Sequence, residues 1–255
     1  MKIHSNYQNQ PNRYNNYCNF TSSMRVTRAN GNVTNRNWTT FFREDLDWNR
    51  FADNLIDRFR ADKKVNIYCL ACSDGSEPYT LAMLLISKLG KKNAEKFFPI
   101  IASDKDKIIL KKPIQGKLNV SEQDLLMING FTRSHYSQFI TKTGQKRLCQ
   151  NIMTYPAKIN NILKDSVVFK NIDANEALNE INKNENNVIF ARNFLQYLSP
   201  QNEQQNFVKL LTNKLKNKSL FAGGDSDYDI LRSFDMFKSK IKQTVIENCY
   251  EKNNR

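Results

Sequence analysis

The sequence has no long hydrophobic run. A membrane-spanning helix needs about 18 consecutive apolar residues. No stretch of the 255-residue sequence comes close to that length. The first 20 residues also lack the apolar segment of a secretory signal. These absences predict a cytoplasmic protein without a membrane span.

Histidine is scarce, and the cysteines follow no regular framework. The chain has 2 histidines and 5 cysteines. Cys69 and Cys72 form one Cys-x-x-Cys pair, but no second pair exists, so a four-ligand zinc site is hard to assemble. We predict no bound metal, two cysteines packed in a core, and a reducing compartment.

Glycine is also scarce, and neither GxGxxG nor GxxxxGK[ST] occurs. The segment CLACSDGSEPYT (69–80) follows the apolar run VNIY and contains one glycine, Gly75. Glu77 lies in this segment and Asp104 ends the next apolar run, so their negative charge disfavours a diphosphate. A cationic ligand with a ribose and no phosphate, such as S-adenosylmethionine, fits better. The alternative is that either carboxylate only caps the start of a helix.

Basic residues are in excess. The chain has 39 Lys and Arg against 25 Asp and Glu, a formal net charge of +14. The excess favours an acidic partner such as nucleic acid, an anionic membrane or a carboxylate-rich protein surface. The lysines are spread along the chain, which weakens the case for any one of these partners.

The pattern along the chain predicts an arm followed by one domain. Residues 1–36 contain no Asp or Glu and read as a flexible basic arm, with a short ordered piece near 24–29. Residues 37–59 read as an amphipathic helical region. Residues 114–165 are irregular and read as an insertion or small subdomain within a domain spanning 37–255.

Short apolar runs alternate with helical segments from residue 65 onward. This alternation predicts an α/β fold with a mostly parallel sheet, whose ligands bind at the carboxyl ends of the strands. The predicted strands are at 65–72, 97–104, 166–173, 186–193 and 219–226. The predicted helices are at 78–90 and 200–215, with a short helix that stops near Pro113 and a hairpin strand near the end.

Four segments together resemble the CheR-type chemotaxis-receptor glutamate methyltransferases. NWTTFFRE (37–44) resembles the N-x-T-x-F-F-R-[ED] motif of that family, and ACSDGSEPYTLAMLL (71–85) resembles its cofactor loop. ASDKDKIIL (102–110) and VIFARNFLQYLSP (188–200) match two further motifs in the same order. The resemblance implies a Rossmann-like class I methyltransferase fold with a small inserted subdomain.

The resemblance also assigns site residues. It implies that Glu77 binds the amino-acid end of S-adenosylmethionine, that Asp104 binds its ribose, and that Arg43 lies near its methyl group. The other implied cofactor residues are Asn37, Thr39, Asp173, Ala174, Arg192 and Asn193. Asp173 and Ala174 stand where the family has Asn-Leu, so only a backbone contact with the adenine is expected there.

Arg43 and Tyr197 are the implied catalytic residues. Arg43 would position the acceptor, and a surface arginine is the alternative. Tyr197 would face the substrate, and an aromatic on a helix face is the alternative. Phe41 and Phe42 are expected in the core.

The function that the resemblance implies is S-adenosylmethionine-dependent methylation of a protein glutamate. The implied partner is a protein substrate, with a chemoreceptor cytoplasmic domain as the candidate. The family usually has a helical domain before the first motif, where this chain has the arm. Two alternatives therefore stay open: an RNA methyltransferase, suggested by the basic charge, and a degenerate module that binds a cofactor or partner without catalysis.

Overall fold

The computed structural model describes residues 26–27, 33–34, 39–149, 152–198, 201–216 and 218–253. The chain divides into two compact units, Met1–Arg36 and Asn37–Arg255. In the first unit, β1 (Val26–Thr27) and β2 (Val33–Thr34) pair antiparallel. The rest of the predicted flexible arm lies outside the described residues.

The second unit is built on a seven-stranded sheet. Strands β3, β4, β9, β10 and β11 run parallel, and the hairpin of β12 and β13 adds two antiparallel strands at one edge. Their order across the sheet is β12 (Ile241–Gln243), β13 (Cys249–Lys252), β11 (Leu220–Ala222), β10 (Asn187–Phe190), β3 (Asn66–Leu70), β4 (Ile100–Ser103) and β9 (Val167–Lys170).

The chain order reverses between β3 and β10. From β3 the chain passes outward to β4 and β9, then returns to β10 on the other side of β3 and continues to β11. Open parallel sheets bind ligands at such a reversal, outside the carboxyl ends of the strands. The predicted Rossmann-like α/β fold is therefore confirmed, and it places the crevice after β3 and β10.

Helices cover both faces of the sheet. They are α1 (Trp48–Arg58), α2 (Ser76–Leu89), α3 (Lys91–Ala94), α4 (Lys107–Ile114), α5 (Glu122–Thr132), α6 (Ala174–Glu180), α7 (Gln201–Lys214), α8 (Tyr228–Ser233) and α9 (Asp235–Lys240). Among the residues that the structure describes, no helix has the length and apolar character needed to cross a membrane.

Alternate residues of the central strands enter two different cores. In β10, Val188 and Phe190 pack in the core with α1 and α2, whereas Ile189 packs in the core with α6 and α7. Strands buried on both faces read as continuous apolar runs, which is why the sequence predicts them well. Each fully buried aliphatic or aromatic side chain contributes about 1.5–3 kcal/mol to folding.

Four strands between residues 117 and 159 form a second, smaller sheet. Strand β8 (Ile152–Ile159) pairs antiparallel with β5 (Lys117–Ser121) on one side and with β6 (Ile140–Lys142) and β7 (Arg147–Cys149) on the other. This sheet occupies most of the segment that reads as irregular in the sequence. Three of its strands have only three to five residues.

The predicted helical region at 37–59 is wrong in its first part. Residues 39–47 are not helical, and α1 begins at Trp48, where the carboxylate of Asp47 accepts the N–H of Arg50 at 3.1 Å. Phe42 has φ 50°, a left-handed conformation that no helix contains. The other predicted strands and helices are confirmed, with ends that differ by a few residues.

Candidate functional site

The loop after β3 has an unusual backbone. Ala71, Ser73 and Gly75 have φ values of 53°, 52° and 84°. Two of these residues carry side chains in a conformation that costs about 1–3 kcal/mol each and is concentrated at functional sites. The loop ends at Gly75, which directly precedes the first residue of α2.

Gly75 is required by space as well as by conformation. A Cβ atom at this position would lie 2.9 Å from the ring of Phe169 and 2.9 Å from Cβ of Pro113. The loop therefore packs directly on β9 and on the C-terminal end of α4. The one glycine of this segment therefore allows the loop to pack closely against Phe169 and Pro113.

Asp104 joins this loop to the next one. Its carboxylate accepts the N–H of Ser73 at 2.8 Å and the N–H of Asp106 at 2.9 Å, one through each oxygen. The residue is 8% exposed at the end of β4. Each carboxylate oxygen keeps a second lone pair, so Asp104 can still accept the hydroxyls of a ligand.

Arg192 is a buried cation that follows β10. Its guanidinium donates to Glu77 at 2.8 Å and to Asp45, and it lies 5.0 Å from the ring of Trp48. Burial alone lowers the pKa of Arg192, but the nearby carboxylates of Asp45 and Glu77 hold that pKa above its ordinary value. The arginine therefore stays charged and ties α2 to the segment before α1.

Asp45 is the residue of this network that the sequence analysis missed. Its carboxylate accepts from Arg192 and from the side-chain amide of Asn193, and it lies 3.7 Å from Nε of Arg43. Asn248, in the turn between β12 and β13, donates to its backbone oxygen at 2.8 Å. No sequence signal separates Asp45 from neighbouring acidic residues, because its partners lie about 150 to 200 positions away.

Glu77 has a raised pKa. Burial is the largest cause, and the charge of Asp45 raises the pKa further, while Arg192 and Arg43 lower it. The neighbouring Asp74 has a pKa of about 6, because burial outweighs its hydrogen bonds from the backbone and hydroxyl of Ser76. The crevice thus holds several carboxylates under partial desolvation, an environment that favours a cationic ligand.

Asn193 is held in a left-handed conformation, with φ 57°. Its side-chain oxygen accepts the N–H and hydroxyl of Ser226 at 3.1 and 2.9 Å, and a Cβ at Gly224 would collide with its amide. Its backbone N–H donates to Asp227, which also accepts the N–H of Leu195 at 3.0 Å. Asn193 therefore orders the loop after β10, a structural contribution that its motif does not predict.

Unpaired polar atoms cluster at the same edge of the sheet. In the described part of the chain, eight buried side-chain polar atoms have no hydrogen-bond partner. Four of them lie at or within five residues after the carboxyl ends of neighbouring strands: Ser73 Oγ, Ser103 Oγ, Asn175 Oδ1 and Arg192 Nε. Because buried polar groups are normally paired, this set fits a crevice that holds a polar ligand such as S-adenosylmethionine.

The other predicted site residues have mixed positions. Tyr197 ends a short 3₁₀ helix and is 37% exposed. Asp173 caps α6 by accepting the N–H of Asn175 at 2.8 Å, and Ala174 is buried. Thr39 is half-buried, and Asn37 lies outside the described residues. The roles of all four stay predictions.

Two core predictions are confirmed. Phe41 and Phe42 are buried, and their N–H groups donate to Asp124 and Thr80, both at 3.2 Å. Cys69 and Cys72 are also buried, and burial raises the pKa of both thiols well above its ordinary value. A thiol that stays protonated is a poor nucleophile and a poor metal ligand.

Comparisons with known proteins agree with this geometry. The chain is similar to the chemotaxis protein methyltransferase of Listeria monocytogenes, with 23% identity over 190 residues, which cover 74% of this chain and 64% of the relative. It is 28% identical to chemotaxis protein methyltransferase 2 of Vibrio cholerae (76% of this chain, 65% of the relative). It is also 28% identical to the chemotaxis protein methyltransferase of Escherichia coli (77% and 62%).

The chain spans less than two thirds of the length of these relatives. The family described as "CheR methyltransferase, SAM binding domain" matches residues 37–246, which include every strand of the main sheet except the last. All four sequence motifs lie within that match, and their described residues meet at one crevice. The protein belongs to the CheR methyltransferase family, of which it contains the S-adenosylmethionine-binding domain.

Proposed function

We propose that the protein transfers a methyl group from S-adenosylmethionine to the side-chain carboxylate of a glutamate in a protein substrate. Family membership supports the reaction class. The relatives are chemotaxis protein methyltransferases, which supports a protein of a chemotaxis system, such as a chemoreceptor, as the substrate. The observation that carries the proposal is the arrangement of Arg43 beside the buried ion pairs of Arg192.

The residues of the crevice fit the cofactor. Asp104 would accept the ribose hydroxyls with its free lone pairs, and Glu77 would attract the α-amino group with the oxygen that does not bind Arg192. Asp173 caps α6 through one carboxylate oxygen, and the backbone of Asp173 and Ala174 would contact the adenine. When bound, S-adenosylmethionine supplies an electrophilic methyl group on a sulfonium.

A glutamate acceptor needs no general base in this site. Its unperturbed pKa of about 4.3 leaves it ionised at neutral pH. The protein must instead position the carboxylate and exclude water. No His or Ser/His/Asp set is therefore required, and none of the residues assigned to the crevice is a histidine.

Arg43 is suited to position the acceptor. Its side chain is 26% exposed, and its Nε lies 3.7 Å from Asp45. Within the described residues its guanidinium makes no hydrogen bond, whereas the deeper Arg192 is engaged by two carboxylates. Arg43 thus offers a charged fork to an incoming carboxylate while Asp45 limits its movement.

The test is transfer of tritiated methyl groups to an acidic acceptor protein, followed by release of methanol in base. A methyl ester is base-labile, whereas N-methyl groups are not. Arg43→Ala should lower transfer at least about 100-fold, the scale of one lost positioning contact. It should still bind S-adenosylhomocysteine. Arg50→Ala, which removes an exposed arginine on α1, is the matched control and should transfer normally.

Base-stable product, or full activity in Arg43→Ala, would contradict this assignment.

A further inference from the structure

A strip of exposed lysines that have no carboxylate partner among the described residues runs along α4 and onto the second sheet. One of them, Lys117, donates to the side-chain oxygen of Gln115 at 2.7 Å. The lysine strip comprises Lys105, Lys107, Lys111, Lys112, Lys117 and Lys158, and all six side chains are exposed. Within the described part of the chain, none of the six lies within 4.0 Å of a carboxylate. The one carboxylate between Lys105 and Lys117, Asp106, accepts the N–H groups of Ile108 and Ile109 and caps α4.

Local folding does not explain the positions of four of these lysines. Lys105 and Lys107 flank the N-terminus of α4, the end of a helix at which a cation is unfavourable. Lys117 and Lys158 lie directly opposite each other on β5 and β8, where like charges are destabilising. Positive charge at such positions indicates a partner rather than a contribution to stability.

The strip borders the crevice at both ends of α4. At its start, the N–H of Asp106 donates to Asp104 at 2.9 Å. At its end, Pro113 packs on Gly75 and its oxygen lies 3.4 Å from the hydroxyl of Tyr79. The charge of Lys112 also reaches Asp74, whose pKa it lowers against the larger effect of burial. A protein bound along α4 therefore lies beside the cofactor loop.

Apolar side chains interrupt the charges. Ile108 and Ile114 are 76% and 58% exposed, on the same outer side of α4 as Lys107 and Lys111. The strip contains no arginine and no aromatic residue, the two types on which bases stack in nucleic-acid sites. Lysine alternating with isoleucine is complementary to an amphipathic acidic helix.

We propose that the lysine strip is the docking surface for the acidic protein segment that carries the acceptor glutamates. This inference rests on the proposed function, because a substrate methylated on glutamates presents carboxylates around the acceptor. Lys158 extends the surface into an open groove of about 530 Å³, which it lines with Thr141, Thr143 and Asn160. Docking there would hold the substrate while one glutamate enters the crevice.

The test compares two triple charge reversals in the full chain. The strip variant carries Lys107→Glu, Lys111→Glu and Lys158→Glu. The control variant carries Lys183→Glu, Lys209→Glu and Lys240→Glu, three exposed lysines on other elements without carboxylate partners. Both variants change the net charge equally. Binding of S-adenosylhomocysteine by both variants establishes that they are folded.

The probe is a fluorescein-labelled helical peptide of about 20 residues with glutamate and isoleucine on one face, measured by polarisation. The strip variant should bind it at least about tenfold more weakly than the wild type, since three surface ion pairs become repulsions. The control should change less than about twofold. A matched peptide with glutamine in place of glutamate should bind weakly to the wild type and to both variants.

Equal losses in the two variants, or no binding of the glutamate peptide by the wild type, would overturn the inference. Tighter strip-dependent binding of a 20-nucleotide uridine RNA would assign the surface to nucleic acid instead. The proposed function can fail separately from this inference. In that case the wild type binds the acidic peptide through the lysine strip but forms no base-labile methyl ester on the acceptor protein.

Discussion

Arg192 illustrates how single residues build this site. A guanidinium with a side chain only 2% exposed persists because Glu77 and Asp45 pair with it and Trp48 covers it. Its motif predicts the arginine but not its partners, which lie 115 and 147 positions away. The sequence motif predicts the arginine itself, whereas its distant partners are brought to it only by the fold.

Removing Asp45 should leave a buried cation only partly compensated. We expect Asp45→Ala to lower the free energy of unfolding by about 3 kcal/mol, the scale for a broken buried pair. Asp47→Ala, two positions away, removes only the cap of α1 and should lower it by about 1 kcal/mol. Urea denaturation of the two variants measures the difference, and equal losses would show that Asp45 does not hold the network.

Asp227 should make stability depend on pH. Burial raises its pKa to about 6, against the hydrogen bonds from Leu195, Asn193 and Gly224. The folded-state pKa lies above the about 3.9 of an unfolded aspartate, so the native state binds more protons between these values. The contribution of Asp227 therefore falls as pH rises from about 4 to about 6 and is constant above that.

Asp227→Asn cannot titrate and is the comparison for this effect. The free energy of unfolding of the wild type, relative to the variant, should fall by about 2 kcal/mol between pH 4 and pH 6.5. Urea denaturation across this range provides the measurement. A constant difference between the two proteins would mean that Asp227 is ionised throughout.

At the scale of elements, the loop between β3 and α2 is the most constrained segment of the crevice. Its length and single glycine resemble an ordinary strand–helix turn in the sequence. The structure adds alternating left-handed residues and close contacts with Phe169 and Pro113. These features depend on β9 and α4, which lie far along the chain, so no local pattern predicts them.

Comparing Gly75 with Gly90 separates the cost of a positive φ from the cost of close packing. Both have positive φ, 84° and 74°, but only Gly75 has neighbours that a Cβ atom would meet. Gly75→Ala should therefore lower the free energy of unfolding by about 2 kcal/mol more than Gly90→Ala does. It should also weaken S-adenosylhomocysteine binding, which Gly90→Ala should leave intact. Calorimetry and urea denaturation report the two effects, and matching behaviour would contradict the packing argument.

The segment before α1 shows a limit of periodicity. Its apolar residues Phe42 and Leu46 continue the helical spacing that leads to Phe51, yet residues 39–47 are not helical. The backbone N–H groups of Phe41 and Phe42 donate to Asp124 and Thr80, partners 83 and 38 positions away. Tertiary contacts thus override the local pattern and bring Arg43 and Asp45 to the crevice.

For the whole molecule, the sequence predicts the main sheet because its central strands are buried on both faces. The runs IIAS and NVIF are apolar apart from Ser103 and Asn187. The second sheet is not predicted, because three of its strands are short and have few apolar residues: KLNVS has two, and ITK and RLC are three residues long. The four motifs predict the crevice, whereas the lysine strip requires the fold to join α4 to β8.

Several of the lysines that make the net charge positive form hydrogen bonds within the protein. Lys91 donates to the oxygens of Ile162 and Lys164 at 2.7 and 3.0 Å, and Lys96 donates to that of Phe59 at 2.7 Å. Lys214 likewise donates to the oxygen of Ile181 at 2.6 Å. These lysines satisfy chain turns and helix ends, so the total of +14 overstates the charge free to attract a partner.

We expect the crevice after β3 and β10 to hold the cofactor through Asp104. The most direct measurement is calorimetric titration with S-adenosylhomocysteine of the wild type, Asp104→Asn and Asp106→Asn. Asp106 caps α4 and serves as the control, since it is a neighbouring carboxylate assigned no ligand contact. We predict micromolar binding by the wild type and Asp106→Asn, and at least about tenfold weaker binding by Asp104→Asn. Equal affinity in all three proteins, or no binding by the folded wild type, would contradict the account.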